Sequence, residues 1–260
     1  MQINGKELAV ESEGEGPAIF MIHGLGGSSN TWFPQRRSLS SKFRVVCPDL
    51  HGSARSAVQG DVSIAGYVED AVAVMDALEI SAADFVGHSM GTIVCQHLAV
   101  EHPERVRSLV MMGPLLEPPD AARAAMADRA GLARKEGMVP IADTLLKVSI
   151  SNETRAHKPE VCAMVRESLM RQDPEGYARS CEALAAAKAA PVQQIDCPTL
   201  LLSGDEDLVG PPAATLAIAE QIKGATMNLY ANTGHWTPIE RPTEVNEAML
   251  NFYFGLKQGQ

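Results

Sequence analysis

Asp84-Phe85-Val86-Gly87-His88-Ser89-Met90-Gly91-Thr92-Ile93-Val94 decides how the rest of the chain is read. A short apolar run ends in a glycine, a serine stands two residues later, and a second glycine opens a stretch of helical spacing. Glycines two before and two after a serine leave room for a sharp strand-to-helix turn with the serine strained at its tip. A hydroxyl there stands above the end of a sheet and at a helix N-terminus, where the dipole and free N–H groups favour negative charge. Outward from this turn the chain alternates. Ala18–Ile22, Arg44–Cys47, Asp84–Gly87, Ser108–Met112 and Thr199–Ser203 are short apolar runs bounded by Gly, Pro, Asp or His, as expected of strands buried on both faces of a parallel sheet. Asn228–Tyr230 adds a further strand. Helical spacing occupies 31–41, 64–79, 90–102, 212–222 and 242–254. In the second of these, Ile64, Val68, Ala71, Val72, Met75 and Leu78 form one apolar stripe. The alternation predicts an α/β fold with a mostly parallel central sheet, right-handed crossovers and helices on both faces. Near the start, Asn4-Gly5 between Ile3 and Leu8 reads as a tight hairpin turn.

The rhythm breaks between Glu117 and Val192. That stretch has no β-branched run, is rich in Ala, Arg, Glu and Met, and is punctuated by Pro118-Pro119, Pro140, Pro159, Pro174 and Pro191. Helices are expected near 120–136, 140–150, 158–171 and 174–188. The reading is a helical cap, or lid, at 117–192 inserted into a core made of 1–116 and 193–260. A separate domain is the rival, but a strandless block of this size holds a core poorly on its own.

With 260 residues the chain suits one domain and can bury a full core without staples. Its 22 basic and 32 acidic residues give a net charge of −10, which repels phosphate backbones and anionic lipid; neither nucleic acid nor a membrane is an expected partner. No apolar run reaches the length of a membrane span. Cys47, Cys95, Cys162, Cys181 and Cys197 are odd in number and never spaced as CxxC, so neither disulfides nor a metal site is expected, and reduced thiols suit a cytoplasmic protein. The N-terminus lacks the basic and apolar regions of a signal peptide.

A serine hydroxyl is a weak nucleophile until a base takes its proton. Of the seven histidines, His235, in Thr233-Gly234-His235-Trp236, is the candidate base, since it follows the last strand and precedes the terminal helix. His23 and His88 flank turns and are expected to hydrogen-bond within them. The base needs a carboxylate to fix its tautomer. Ser203-Gly204-Asp205-Glu206-Asp207 supplies two aspartates at a strand's carboxyl end, where functional groups gather in open α/β sheets. Asp207 is preferred, with Asp205 left to cap the loop and Asp49 to brace His51–Ser56. The order Ser89…Asp207…His235 is that of one class of hydrolase and differs from the two well-known protease orders. Oxyanion donors are expected from the N–H of Met90, after the serine, and of Leu25, in His23-Gly24-Leu25-Gly26-Gly27. Neither glycine-rich phosphate-binding pattern is present.

Taken together these segments resemble the α/β-hydrolase family over nearly the whole chain. The landmarks are His23-Gly24, Pro48-Asp49-Leu50-His51-Gly52, the Ser89 turn, His102-Pro103-Glu104-Arg105-Val106, Gly204-Asp205-Glu206-Asp207 and Gly234-His235. His23–Gln35, Ser180–Leu184 and Gly204–Val209 are similar to 3-oxoadipate enol-lactonases and related small-ester hydrolases. Ala54 stands where relatives usually carry glycine, and the lactonases tend to have Leu at the place of His88 and Gly after Gly91. The resemblance implies cleavage of a small carboxylic ester or lactone through an acyl-enzyme on Ser89, without metal or cofactor. Substrate is expected between sheet and lid, against Trp32, Met90, Met126 and Trp236. Dehalogenases and epoxide hydrolases of this fold are excluded because they place Asp at the position of Ser89. Glu117 is the alternative carboxylate in the 113–118 segment. Rivals on the same fold are a C–C hydrolase, a cofactor-free perhydrolase or oxygenase, a slow-turnover ligand receptor, and an interaction protein with a relic triad. Nothing in the sequence sets oligomeric state, which leaves room for a homodimer.

Overall fold

The computed structural model describes residues 1–258. A hairpin of β1 (Gln2–Ile3) and β2 (Lys6–Glu7) precedes β3 (Val10–Glu13) and β4 (Ala18–Ile22). Then α1 (Phe33–Leu39) leads to β5 (Arg44–Pro48), α2 (Ile64–Ala77) to β6 (Ala83–His88), and α3 (Met90–Glu101) to β7 (Val106–Met112). Five consecutive helices follow: α4 (Asp120–Glu136), α5 (Val139–Ser149), α6 (Asn152–His157), α7 (Pro159–Met170) and α8 (Pro174–Ala186). The chain re-enters the sheet with β8 (Thr199–Gly204), α9 (Pro212–Ala219), β9 (Thr226–Tyr230), α10 (Thr237–Glu240) and α11 (Pro242–Gln258).

The main sheet has the order β3-β5-β4-β6-β7-β8-β9 and is parallel except for β3, which runs antiparallel to β5. The expected strands all appear. β3 was not anticipated, because Val10-Glu11-Ser12-Glu13 is a polar, half-exposed edge with no apolar run to read. The Asn4-Gly5 turn has φ of +51° and +77°, the left-handed pair a two-residue hairpin needs.

Successive strand residues face opposite layers. Phe20, Ile22, Phe85, Leu109, Met111 and Leu201 pack with α2 and α3 on one side. Ile19, Met21, Val86, Val110, Met112 and Leu202 pack with Leu39, Val245, Met249 and Tyr253 of α1 and α11 on the other. The chain leaves β4 for β5 on one side and returns past it to β6 on the other. The carboxyl ends of β4 and β6 therefore flank a crevice at the switch point, the usual ligand site of such sheets. Pairing of Ile22 with Gly87, His88 with Met112, and Met112 with Leu202 aligns the residues that follow these strands along one end.

Helices α4–α8 build a third apolar cluster from Ala130, Ala133, Ile141, Val165, Leu169 and Tyr177, but Trp236 and Ile239 from the sheet side complete it. The insert thus shares its core with the layer beneath it. It contains one more helix than the sequence reading gave. Ser151 accepts a hydrogen bond from the Thr154 N–H and starts α6, and Pro159 begins a separate α7. Among the described residues no helix is long and apolar enough to cross a membrane.

Candidate active site

Ser89 sits between β6 and α3 with φ +54° and ψ −121°, a left-handed conformation that L-residues rarely hold. The turn is bound in place. Its N–H donates to Met112 O at 2.9 Å, and its carbonyl accepts from Thr92 through both N–H and hydroxyl at 2.8 and 2.6 Å. A Cβ on Gly87 would lie 2.7 Å from Gly91 O, and one on Gly91 would lie 2.2 Å from Ile22 O, so neither glycine can be replaced without moving backbone.

His235 lies in the loop between β9 and α10, and its Nδ1–H donates to Asp207 Oδ2 at 2.8 Å. The other carboxylate oxygen of Asp207 accepts the N–H groups of Val209 and Gly210, each at 2.8 Å. Burial pushes the Asp207 carboxyl up, but the facing His235 and these N–H groups outweigh it and hold the group below its ordinary value. Nδ1 carries the proton in this arrangement, which leaves the lone pair on Nε2. That nitrogen is buried and makes no hydrogen bond among the described residues, Ser89 included. Asp205 instead accepts from the Thr233 N–H at 3.1 Å and closes its own loop, and Glu117 pairs with Arg123.

Gly113, directly after β7, makes this pair possible. It has φ +55°, and a Cβ there would lie 2.9 Å from His235 Cε1 and Nδ1 and 3.1 Å from Asp207 Oδ2. Sequence reasoning missed it, although a lone glycine ending an apolar run is the available signal.

Contrary to the expectation from the sequence, His88 does not bond within its own turn. Its Nε2 reaches across to the His235 carbonyl at 2.8 Å, because the turn packs directly under the 235 loop. Burial, with the neighbouring His235, pushes His88 down to about 3, so the ring is neutral and Nε2–H is the donor. His23 does bond within its turn, to Gly24 O at 2.8 Å, and it also accepts the Leu50 N–H at 2.9 Å, tying the loops after β4 and β5 together. Asp49 braces more than the expected segment: it accepts from Arg55 and also from the Ser29 N–H at 2.7 Å.

Gly24 packs on the serine, with a Cβ there only 2.8 Å from Ser89 Cβ, which brings the next residue, Leu25, to the cavity wall. Met90 is the first residue of α3, so its N–H is one of the helix's orphan donors. From the insert, Gln172 fixes this loop by donating to Gly26 O and Gly27 O at 3.2 and 3.1 Å, while its carbonyl accepts the Ala54 N–H. Ala54 itself holds φ +49°, which is why glycine suits the position.

Ser89 and His235 line one cavity of about 220 Å³, roofed by α4 and α5. Met126 and Trp236 line it as expected. Trp32 does not: it is fully buried among Ile19, Met21 and Leu39, because the turn before α1 faces the opposite side of the sheet. The Met90 side chain likewise points into the core rather than the cavity. Among the described residues lining the cavity Arg129, on α4, is the one cation, no acidic side chain joins it there, and it forms no ion pair. A wider surface cleft of about 700 Å³ lies between the start of α2 and α8, where Arg134 and Arg179 are already paired with Glu175. Among the described residues no group of three or more His, Cys, Asp or Glu side chains is placed to hold a metal ion.

Residues 17–151 match the family described as the alpha/beta hydrolase fold. The chain is 30% identical to 3-oxoadipate enol-lactonase 2 of Acinetobacter baylyi, over 93% of this chain and 90% of that protein. It is 32% identical to 2-hydroxymuconate semialdehyde hydrolase of a Pseudomonas species, over 91% and 86%. Among solved structures, the enol-lactonase of Burkholderia xenovorans superposes with a TM-score of 0.90 at 32% identity, covering 98% of this chain and 99% of that one.

Proposed function

The chain belongs to the alpha/beta hydrolase fold family, and from that membership we propose that it is a serine hydrolase cleaving a small carboxylic ester or lactone. One observation carries the reading: a His235–Asp207 pair at 2.8 Å whose free ring nitrogen is buried beside the cavity that Ser89, on its left-handed turn, also lines. In this mechanism His235 Nε2 takes the Ser89 proton as the hydroxyl oxygen attacks the carbonyl carbon. The Leu25 and Met90 N–H groups hold the oxyanion. Asp207 keeps the imidazole in the right tautomer and stabilises its charge. Collapse of the tetrahedral adduct expels the alkoxide, which leaves with the proton from His235. Water, deprotonated by the same ring, then attacks the acyl-enzyme and frees the acid and Ser89. No step calls on a metal or cofactor.

The 117–192 insert acts as a cap over this chemistry. A cavity of about 220 Å³ is below the ~300–1,000 Å³ usual for drug-sized ligands and suits a compact substrate. Arg129, the one cation in a mostly apolar lining and without a carboxylate partner among the described residues, favours one that carries a carboxylate. Choosing a lactone alongside an ester draws on the relatives named as enol-lactonases. A second reading, hydrolysis of a C–C bond by the same residues, is favoured by the relative named as a semialdehyde hydrolase.

A fluorophosphonate probe tests the nucleophile. A single mass adduct on Ser89 is expected, absent in Ser89→Ala and formed far more slowly in His235→Ala; an unlabelled wild-type protein would refute the reading. Turnover of p-nitrophenyl esters, lactones and vinylogous diketones, with product analysis, separates ester from C–C cleavage.

A further inference from the structure

Glu240, at the end of α10, is fully buried, and among the described residues its carboxylate pairs with no cation; Lys158 donates to its main-chain carbonyl instead. Its two oxygens take two main-chain donors from different parts of the chain. Oε1 accepts the Gly234 N–H at 3.1 Å, and Oε2 accepts the Ser151 N–H at 3.0 Å. Beside them, the His235 N–H donates to Ser149 O at 2.8 Å. The main chain at 234–235 therefore runs against 149–151 as two strands would, except that one position opposes donor to donor. The Glu240 carboxylate gives each of these N–H groups an oxygen of its own, whereas an amide in the same pose would set its NH2 against one of them. The fit is close: a Cβ on Gly234 would lie 2.6 Å from Ser151 N and 2.8 Å from Glu240 Oε1.

We infer that Glu240 is a positioning residue, clamping the main chain beside His235 to the helical insert and so fixing where the imidazole stands relative to Ser89. The inference rests on the Ser89–His235–Asp207 reading above. It also makes the Ser149–Ser151 segment of the insert a fixed part of the site, since that segment cannot lift without freeing the His235 N–H from Ser149 O and the Ser151 N–H from Glu240 Oε2.

The test is Glu240→Gln in the full-length protein, with kcat normalised to fluorophosphonate-titrated sites. Gln keeps the size but turns one N–H acceptor into a donor. Displacing a base by about an ångström costs up to ~100-fold, so kcat should fall about 10- to 100-fold while KM stays within about threefold. The low-field proton resonance of the His235 Nδ1–H should shift or broaden. Glu240→Asp, shorter by one methylene, should fall between wild type and Gln. Asp70→Asn removes another buried carboxylate, one that pairs with Lys6 away from the site, and should leave normalised kcat unchanged. A folded Glu240→Gln or Glu240→Asp protein with kcat within twofold of wild type and an unmoved imidazole resonance overturns the inference. If neither variant folds, Glu240 serves the fold as a whole and the inference is likewise overturned. Active His235→Ala protein would instead sink the underlying reading, whereas inactive His235→Ala beside fully active Glu240→Gln sinks the clamp alone.

Discussion

Gly113→Ala should damage catalysis without replacing any residue proposed to react. The new methyl would lie 2.9 Å from two atoms of the His235 ring and 3.1 Å from Asp207 Oδ2, whereas carbon contacts settle near ~3.5–4.0 Å. The ring must then retreat by roughly 0.6–1 Å. It cannot do so freely, because Asp207 holds Nδ1 and the His235 main chain is bound on both sides, by Ser149 and His88. The displacement therefore falls on the 2.8 Å bond and on the direction in which Nε2 points. Misplacement of about 1 Å at a reacting group costs up to ~100-fold, so kcat for the best p-nitrophenyl ester should drop about 10- to 100-fold with KM little changed. The left-handed φ of +55° adds about 1–2 kcal/mol of backbone strain in alanine, a fall in Tm of about 2–8 °C. Gly131→Ala is the comparator. That glycine lies within α4, a Cβ there meets nothing, and the change should add ~1 kcal/mol of helix stability at unchanged kcat. A Gly113→Ala protein that melts lower yet keeps kcat within twofold would refute the argument, since strain would then be present without displacement.

Stability should fall as pH drops below about 6.5. Burial holds His23, His51 and His88 below their ordinary value, so the unfolded chain binds protons first; stability is complete above the unfolded value of ~6.5 and is lost beneath it at up to ~1.4 kcal/mol per pH unit per histidine. Asp49 and Asp207, held low, add their own loss only below about pH 4. Urea midpoints at pH 7, 6 and 5 check this, and equal midpoints at 7 and 5 would count against it. Ala54→Gly relieves a left-handed alanine and should raise stability by about 0.5–1 kcal/mol; a lower Tm would show that the turn is not strained. Arg129→Met should raise KM at least ~10-fold for carboxylate-bearing esters and leave neutral ones within about twofold, and equal effects on both would remove Arg129 from substrate recognition.

What could be read from the sequence is what depends on neighbours along the chain. Strands buried on both faces announce themselves as apolar runs, the Asn4-Gly5 hairpin by its turn residues, and the Ser89 turn by its two glycines. The Asp207–His235 pairing was legible because the two residues follow neighbouring parallel strands at the same end of the sheet. β3 was not, since an edge strand half in water carries no apolar run. α6 was hidden because it is a short helix between Ile150 and Pro159 with only the Ser151 cap to mark it. Trp32 was misplaced for a different reason: an aromatic at helical spacing declares that it is buried but not in which of two layers, and here it lies on the far side of the sheet. The supporting residues depend on contacts no local pattern encodes. Glu240 meets Ser151 across 89 positions and Gln172 meets Gly26 across 146. Gly113 matters only because His235 and Asp207 arrive beside it from later in the chain. The proposed nucleophile and base are thus written into short motifs, whereas the distances between them are set by residues whose partners appear only once the insert has folded onto the sheet.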